Sequence, residues 1–276
     1  MIGVAGFLLL LGMAPLAQGT MSLLRARLNG RPGPSPIQPY RNLRKLFAKE
    51  AIVSCGSSSA VLAAPAVAIG TAVTVAILVA RPFGVVGAGI DAIAIAMTLA
   101  LGRFVLVLAA LDTRSAFEGM AASREMTFAA LTESPLILAL VSVALGVAII
   151  PGILAASALL LVCLFETARI PVDNQETHYE LTMIHEGLIL EYSGWQLAML
   201  QLAAYIRQLA LFVLIAMLLP GGNIVGFGWV AVLVIGVPIV ERMLAKMRLF
   251  EVPALFVAAT VLAFTGIIVH VARLGA

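Results

Sequence analysis

Residues 161–200 read LVCLFETARIPVDNQETHYELTMIHEGLILEYSGWQLAML. An apolar run stops at Phe165, a charged stretch follows, and a second apolar run opens after Gly194. Glu166, Asp173, Glu176, Glu180, Glu186 and Glu191 fall in the interval, with Arg169, His178 and His185. The whole chain has 14 acidic residues, so this short interval holds nearly half of them. Acids tethered between apolar runs are costly without partners, so the interval is a candidate functional element.

The flanking runs set the fold class. The chain is 62% hydrophobic and 11% charged, with mean hydropathy +1.10. Soluble domains carry roughly a quarter charged residues, so this chain cannot clothe a globule in polar surface and its solvent is lipid. Runs of about 20 apolar residues cross the hydrocarbon as helices. The short alternating segments of a membrane barrel are absent. Spans are expected at about 2–24, 54–80, 88–111, 128–149, 152–168, 196–219, 226–241 and 252–273. The fold class is an all-α integral membrane protein of about eight transmembrane helices, one multi-pass domain over 1–276.

Two turns rest on punctuation: Pro151-Gly152 between the fourth and fifth spans, and Pro220-Gly221-Gly222 after the sixth. Pro65 and Pro238 fall inside spans. No basic n-region precedes the first run, which reads as a retained span and not a cleaved leader.

Residues 25–50 form a basic loop with Arg25, Arg27, Arg31, Arg41, Arg44, Lys45 and Lys49. Pro32, Pro34, Pro36 and Pro39 keep its first half extended. Over Tyr40–Glu50, Leu43, Leu46 and Phe47 share one helical face and the cations fill the rest. This is the pattern of an amphipathic helix lying in the membrane interface. The lipid bilayer or a partner subunit suits this cluster. Nucleic acid is not an expected partner, since no groove-reading or stacking element accompanies the charge.

Charge placement orients the chain. With eight spans, thirteen of the 17 Lys and Arg residues fall on the side of the loops 25–50 and 166–195. Only Arg81 and Arg273 fall on the other, and Arg103 and Arg207 lie within spans. The positive-inside rule then puts the main loops in the cytoplasm and both termini outside a bacterial or archaeal inner membrane.

An ionisable group at mid-bilayer costs roughly 2.5–3.5 kcal/mol on insertion scales and normally faces the bundle interior. Arg103, Glu133, Glu166 and Arg207 are such groups. In the sixth span Gln201, Tyr205 and Gln208 form one polar stripe beside Arg207. Asp173, Glu176 and Glu180 would share a face if helical, and His185 beside Glu186 titrates near neutral pH. The proton-path candidates are therefore Glu133, Glu166, Arg169, Asp173, Glu176, Glu180, Glu186, Glu191, His185, Arg103 and Arg207. A buried ion pair that only fixes packing is the competing reading of the in-span charges. Cys55 and Cys163 stand alone in apolar surroundings, and no histidine spacing suits a metal. No P-loop, GxGxxG after a strand, or GxSxG is present, so no catalytic residues are assigned.

Two blocks resemble the membrane subunits of respiratory complex I (NADH dehydrogenase subunit 1) and of group 4 membrane-bound NiFe-hydrogenases. The first is Gly30-Arg31-Pro32-Gly33-Pro34, Gln38-Pro39, Lys45-Leu46 and Lys49-Glu50. The second is Glu166-Thr167-x-Arg169-x-Pro171-x-Asp173, Glu176, Glu180-Leu181 and Glu191-Tyr192-Ser193-Gly194. Asn42, His178, Thr182 to Glu186 and Ser123 to Met126 are similar to the hydrogenase branch, of the hydrogenase-4 and formate hydrogenlyase type. Ala204-Tyr205 stands where complex I carries Glu-Tyr.

The resemblance implies a subunit that docks a peripheral redox arm and couples electron transfer to proton movement. Docking would fall to Arg31, Pro34, Gln38, Pro39, Arg41, Lys45, Lys49 and Arg124. Implied partners are the hydrogenase large and small subunits, iron–sulfur subunits and antiporter-like membrane subunits. The NiFe centre and the clusters would lie in those partners, with no cofactor bound by this chain. Two alternatives stay open: the quinone-chamber subunit of a complex I, and a purely structural scaffold.

Overall fold

A computed structural model describes residues 2–52, 58–81, 87–173, 183–221 and 223–274. Among the described residues there are nine α-helices and no strand. In chain order they are α1 (Ile2–Leu28), α2 (Gln38–Phe47), α3 (Ser59–Ala80), α4 (Ala88–Asp112) and α5 (Ala116–Leu145). Then come α6 (Ile149–Glu166), α7 (Gly194–Leu218), α8 (Asn223–Met243) and α9 (Val252–Leu274). All but α2 are long and apolar enough to cross a membrane, which makes eight spans.

Lipid tails are as apolar as leucine, so helices in a bilayer gain by close packing and not by hiding from solvent. The sequence follows that rule. Ala64, Ala68, Ala72 and Ala76 recur every four residues along one face of α3, and all are buried. This smooth face lets α4 and α7 pack against α3. The bulky side chains point outward instead: Ile90, Ile93, Met97, Leu101 and Phe104 of α4 are all exposed. Elsewhere α6 packs on α9, α4 and α9 flank α5, and α1 packs on α7 and α8.

Three helix ends close by one hydrogen-bonding pattern, in which the first residue past the cap takes the left-handed conformation. After α1, Gly30 (φ 71°) and Arg31 donate to the carbonyls of Arg27 and Ala26. After α5, Gly146 (φ 58°) and Val147 donate to Val143 and Ser142. After α6, Ala168 (φ 52°) and Arg169 donate to Phe165 and Leu164. Glycine serves twice. Alanine serves at the third site, at the head of the acidic stretch.

Two boundaries differ from the sequence expectation. The turn between the fourth and fifth spans is at Gly146, not at Pro151-Gly152. Proline is tolerated in a first helical turn, where the N–H it lacks has no intrahelical partner anyway, and Pro151 occupies the first turn of α6. Gly152 has a packing role, since a Cβ there would run into the carbonyl of Leu218. The fourth span begins at Ala116 and not near 128. Glu118, Arg124 and Glu125 interrupt the hydropathy, yet residues 118, 121, 122, 125, 128, 129 and 132 are buried on one helical face. The segment 112–127 is mostly helix, and its Glu118 and Glu125 are buried.

α2 forms as the amphipathic pattern predicts and packs on α1 and α7. Pro39 and Leu43 are its buried residues, whereas Phe47, expected on the same apolar face, is exposed. Pro65 and Pro238 lie inside α3 and α8 as expected, and α1 and α5 carry Pro15 and Pro135 in the same way.

Candidate functional site: a buried chain of acids and bases

α6 has 18 residues and so is ~27 Å long at about 1.5 Å per residue, barely the thickness of the hydrocarbon. It ends at Glu166. The chain beyond does not leave the bundle: Thr167, Ala168, Arg169, Val172 and Asp173 are all buried. Irregular backbone at such a depth survives when it is enclosed by protein. It brings Glu166 and Asp173 among the helices.

α4 and α5 bring the other groups. Arg103 sits in α4, and its side chain is 5% exposed. Its Nε lies 3.3 Å from Glu125 Oε1 on α5, and its Nη1 lies 3.9 Å from Glu133 Oε1 on the same helix. Its Nη2 pairs with Glu166. His185 follows, just ahead of a 3₁₀ turn (Glu186–Ile189). Its Nε2 is 3.4 Å from Glu125 Oε2 and its Nδ1 is 3.8 Å from Asp173 Oδ2. Asp173 accepts the backbone N–H groups of Ile184 and His185, each at 3.3 Å, and lies 3.5 Å from Lys246 Nζ. The order along this chain is Lys246, Asp173, His185, Glu125, Arg103, then Glu166 and Glu133.

The two ends differ from the middle. Lys246 is a quarter exposed, on the connector between α8 and α9. Glu133 is 49% exposed at a mid-helix position of α5. Between them Glu125, Arg103 and Glu166 are enclosed. Burial works against a charged imidazole at His185, but Glu125, Asp173 and Glu166 outweigh it and raise its pKa above 6.5.

Beside this chain lies a cavity of about 160 Å³ that includes Gln18, Arg103, Gln201, Tyr205, Arg207 and Gln208 among its walls. The polar stripe expected on the sixth span thus lines one chamber. The Nε of Arg207 and both ring nitrogens of His185 are buried without a hydrogen-bond partner among the described residues.

A second cluster holds the turn after α6. Arg169 is wholly buried; its Nη1 is 3.2 Å from Glu241 Oε1, and its Nη2 donates to Gln18 (2.6 Å) and Gln208 (3.3 Å). Arg25 donates to the same Glu241 through Nε at 2.9 Å and Nη2 at 3.0 Å.

The remaining candidates are placed as follows. Glu186 lines the cavity. Glu191 is exposed, and its backbone N–H donates to the buried Glu118 at 3.1 Å. Glu176 and Glu180, with His178, lie outside the described residues, so their expected common face with Asp173 does too. Arg124 donates to the Met183 carbonyl at 3.2 Å. Arg31, Pro34, Arg41, Lys45 and Lys49 are exposed, Gln38 is half-buried and Pro39 is buried. The two sequence blocks meet: Ile52 N–H donates to Ser193 Oγ at 2.8 Å, which donates back to the Ile52 carbonyl at 3.2 Å.

Sequence reasoning missed Glu118, Glu125, Glu241 and Lys246 as site residues. The first two were readable, because they stand seven residues apart with alanines at 121 and 122 between them. That spacing puts both acids on the buried face of a helix. For Glu241 and Lys246 nothing in the sequence points to their partners.

Eight spans enclosing a chain of acids and bases define a multi-pass membrane protein with ionisable groups paired in its interior. A family model described as NADH dehydrogenase matches residues 2–272, and the chain belongs to that family. Hydrogenase-4 component C of Escherichia coli (strain K12) is 34% identical over 243 residues, 80% of this chain and 75% of that protein. Formate hydrogenlyase subunit 4 of the same organism is 29% identical over 283 residues, 89% of this chain and 90% of that one. Among solved structures, a chain of the membrane-bound sulfane sulfur reductase, an archaeal respiratory membrane complex, shares the fold. Its TM-score is 0.76 at 18% identity, covering 97% of this chain and 98% of that chain.

Proposed function

We propose that this chain is the membrane-anchor and proton-coupling subunit of a hydrogenase-4 or formate hydrogenlyase type complex. One observation carries the coupling role. Four acids (Glu125, Glu133, Glu166, Asp173) and three bases (Arg103, His185, Lys246) stand in one continuous chain, each within 3.9 Å of the next. Its gaps of 3.3–3.9 Å are within reach of small side-chain rotations, and its imidazole accepts and donates near neutral pH. Protons enter at Lys246 and Asp173 and leave at Glu133, whose carboxylate is half-exposed. A purely structural pair needs one acid and one base and no such chain.

Docking of the redox arm rests on the cations of residues 31–49. Exposed apolar side chains join them: Ile52, Met243 and Phe250 (94%). In this reading the NiFe centre and the iron–sulfur clusters belong to partner subunits, and the docking loops face the cytoplasm, with both termini on the other side. The two Escherichia coli relatives support the hydrogenase branch over a quinone-chamber subunit, and Ala204 supports it too.

The test is purification of the tagged chain in mild detergent. A NiFe large subunit and antiporter-like chains should accompany it, and a C-terminal tag should be reached from outside the cell. Recovery of the chain alone, or a tag reached only from the cytoplasm, would contradict the proposal.

A further inference from the structure

Glu241, in the last turn of α8, stands outside the proton chain. Its side chain is 3% exposed. Its recorded partners, Arg25 and Arg169, are guanidiniums, which donate hydrogen bonds and cannot accept a proton. Arg169 is fully buried, and its other partners are the neutral Gln18, Gln208 and Met21. Among the described residues, Glu241 is thus the carboxylate that pairs with this buried cation.

The position of Arg169 has consequences for Asp173. The Arg169 carbonyl accepts the N–H groups of Val172 (3.0 Å) and Asp173 (3.1 Å), so the two residues share one turn. The connector beyond Glu241 grips the same turn twice more. Met247 N–H donates to the Pro171 carbonyl at 2.8 Å, and Lys246 Nζ lies 3.5 Å from Asp173. Asp173 in turn holds the backbone at Ile184 and His185 and faces the His185 ring.

We propose that Glu241 is a positioning residue: by anchoring Arg169 it sets the place of Asp173 against His185. The consequence for turnover rests on the proton-coupling reading above; the positioning itself does not. Neutralising Glu241 removes the carboxylate that lies between Arg169 and Arg25. Arg169 then withdraws, and the turn carries Asp173 away from its N–H donors.

The experiment measures amide hydrogen exchange of residues 183–190, and turnover per assembled complex, in the purified complex. Losing a charge-assisted anchor predicts about tenfold faster exchange in Glu241→Gln, and about threefold in Glu241→Asp, which keeps the charge on a shorter arm. Arg25→Gln cuts the tie between α1 and α8 but keeps the anchor of Arg169, so its exchange should match the wild type. Unchanged exchange in Glu241→Gln, or an equal rise in Arg25→Gln, would overturn the proposal. If the glutamine variant does not assemble, exchange in Glu241→Asp equal to wild type would overturn it. Faster exchange with lowered turnover supports both readings. Faster exchange with unchanged turnover supports the positioning and contradicts the proton chain.

Discussion

His185 Nε2 lies 3.4 Å from Glu125 Oε2, although the two residues come from separate elements. Asp173 stands on the other side of the same ring. An imidazole between two carboxylates, one on α5 and one in the turn beyond α6, reports on the charge of both.

That arrangement gives the local structure a pH dependence. Burial opposes the imidazolium, and the three carboxylates, Glu125 foremost, more than offset it and raise the His185 pKa above 6.5. A raised folded-state pKa contributes stability that is complete below the unfolded value and is lost as pH rises through the folded value. Residues 183–190 should therefore loosen as pH rises above 6.5. Amide exchange corrected for its intrinsic pH dependence measures this. In Glu125→Gln the loosening should move to lower pH, and in His185→Gln it should vanish.

Gly194 joins the two sequence blocks and cannot be replaced cheaply. Its φ is +54°, and a Cβ would meet the Glu50 carbonyl carbon at 2.6 Å and the Lys49 oxygen at 2.7 Å. The left-handed conformation alone costs a non-glycine residue ~1–2 kcal/mol, and the backbone clash adds to it. Gly194→Ala should lower the amount of assembled complex in the membrane, and quantitative blotting of the tagged chain checks this.

Ala168 occupies the left-handed position that glycine fills after α1 and α5. Glycine there would relieve ~1–2 kcal/mol and return ~0.5–1 kcal/mol through its greater freedom in the unfolded chain. Ala168→Gly should leave activity unchanged and raise the apparent melting temperature of the purified complex slightly. A lowered melting temperature would show that the alanine methyl, which is 5% exposed, does more in packing than its backbone costs.

The spans were legible because membrane helices announce themselves by length and hydropathy. Arg103, Glu133 and Glu166 were legible as well, since charge inside a span is costly and so stands out. Glu125 was obscured for the opposite reason. It lies in a stretch with Glu118 and Arg124, and a hydropathy window reads such a stretch as a loop. Pro151 misled by being the commoner punctuation, while Gly146 made the turn. The pairing of Glu241 with Arg25 and Arg169 joins three distant segments, and no local spacing could announce it.

The central claim is that protons pass along Asp173, His185, Glu125 and Glu166, with Arg103 holding Glu125 and Glu166 side by side. Proton movement per turnover in inverted membrane vesicles, compared between wild type, Asp173→Asn and Glu166→Gln, tests it most directly. The account predicts that both variants assemble and that their coupled proton movement falls by about a hundredfold or more, the lower end for losing a proton-transfer group. Wild-type proton movement at wild-type turnover in both variants would contradict it.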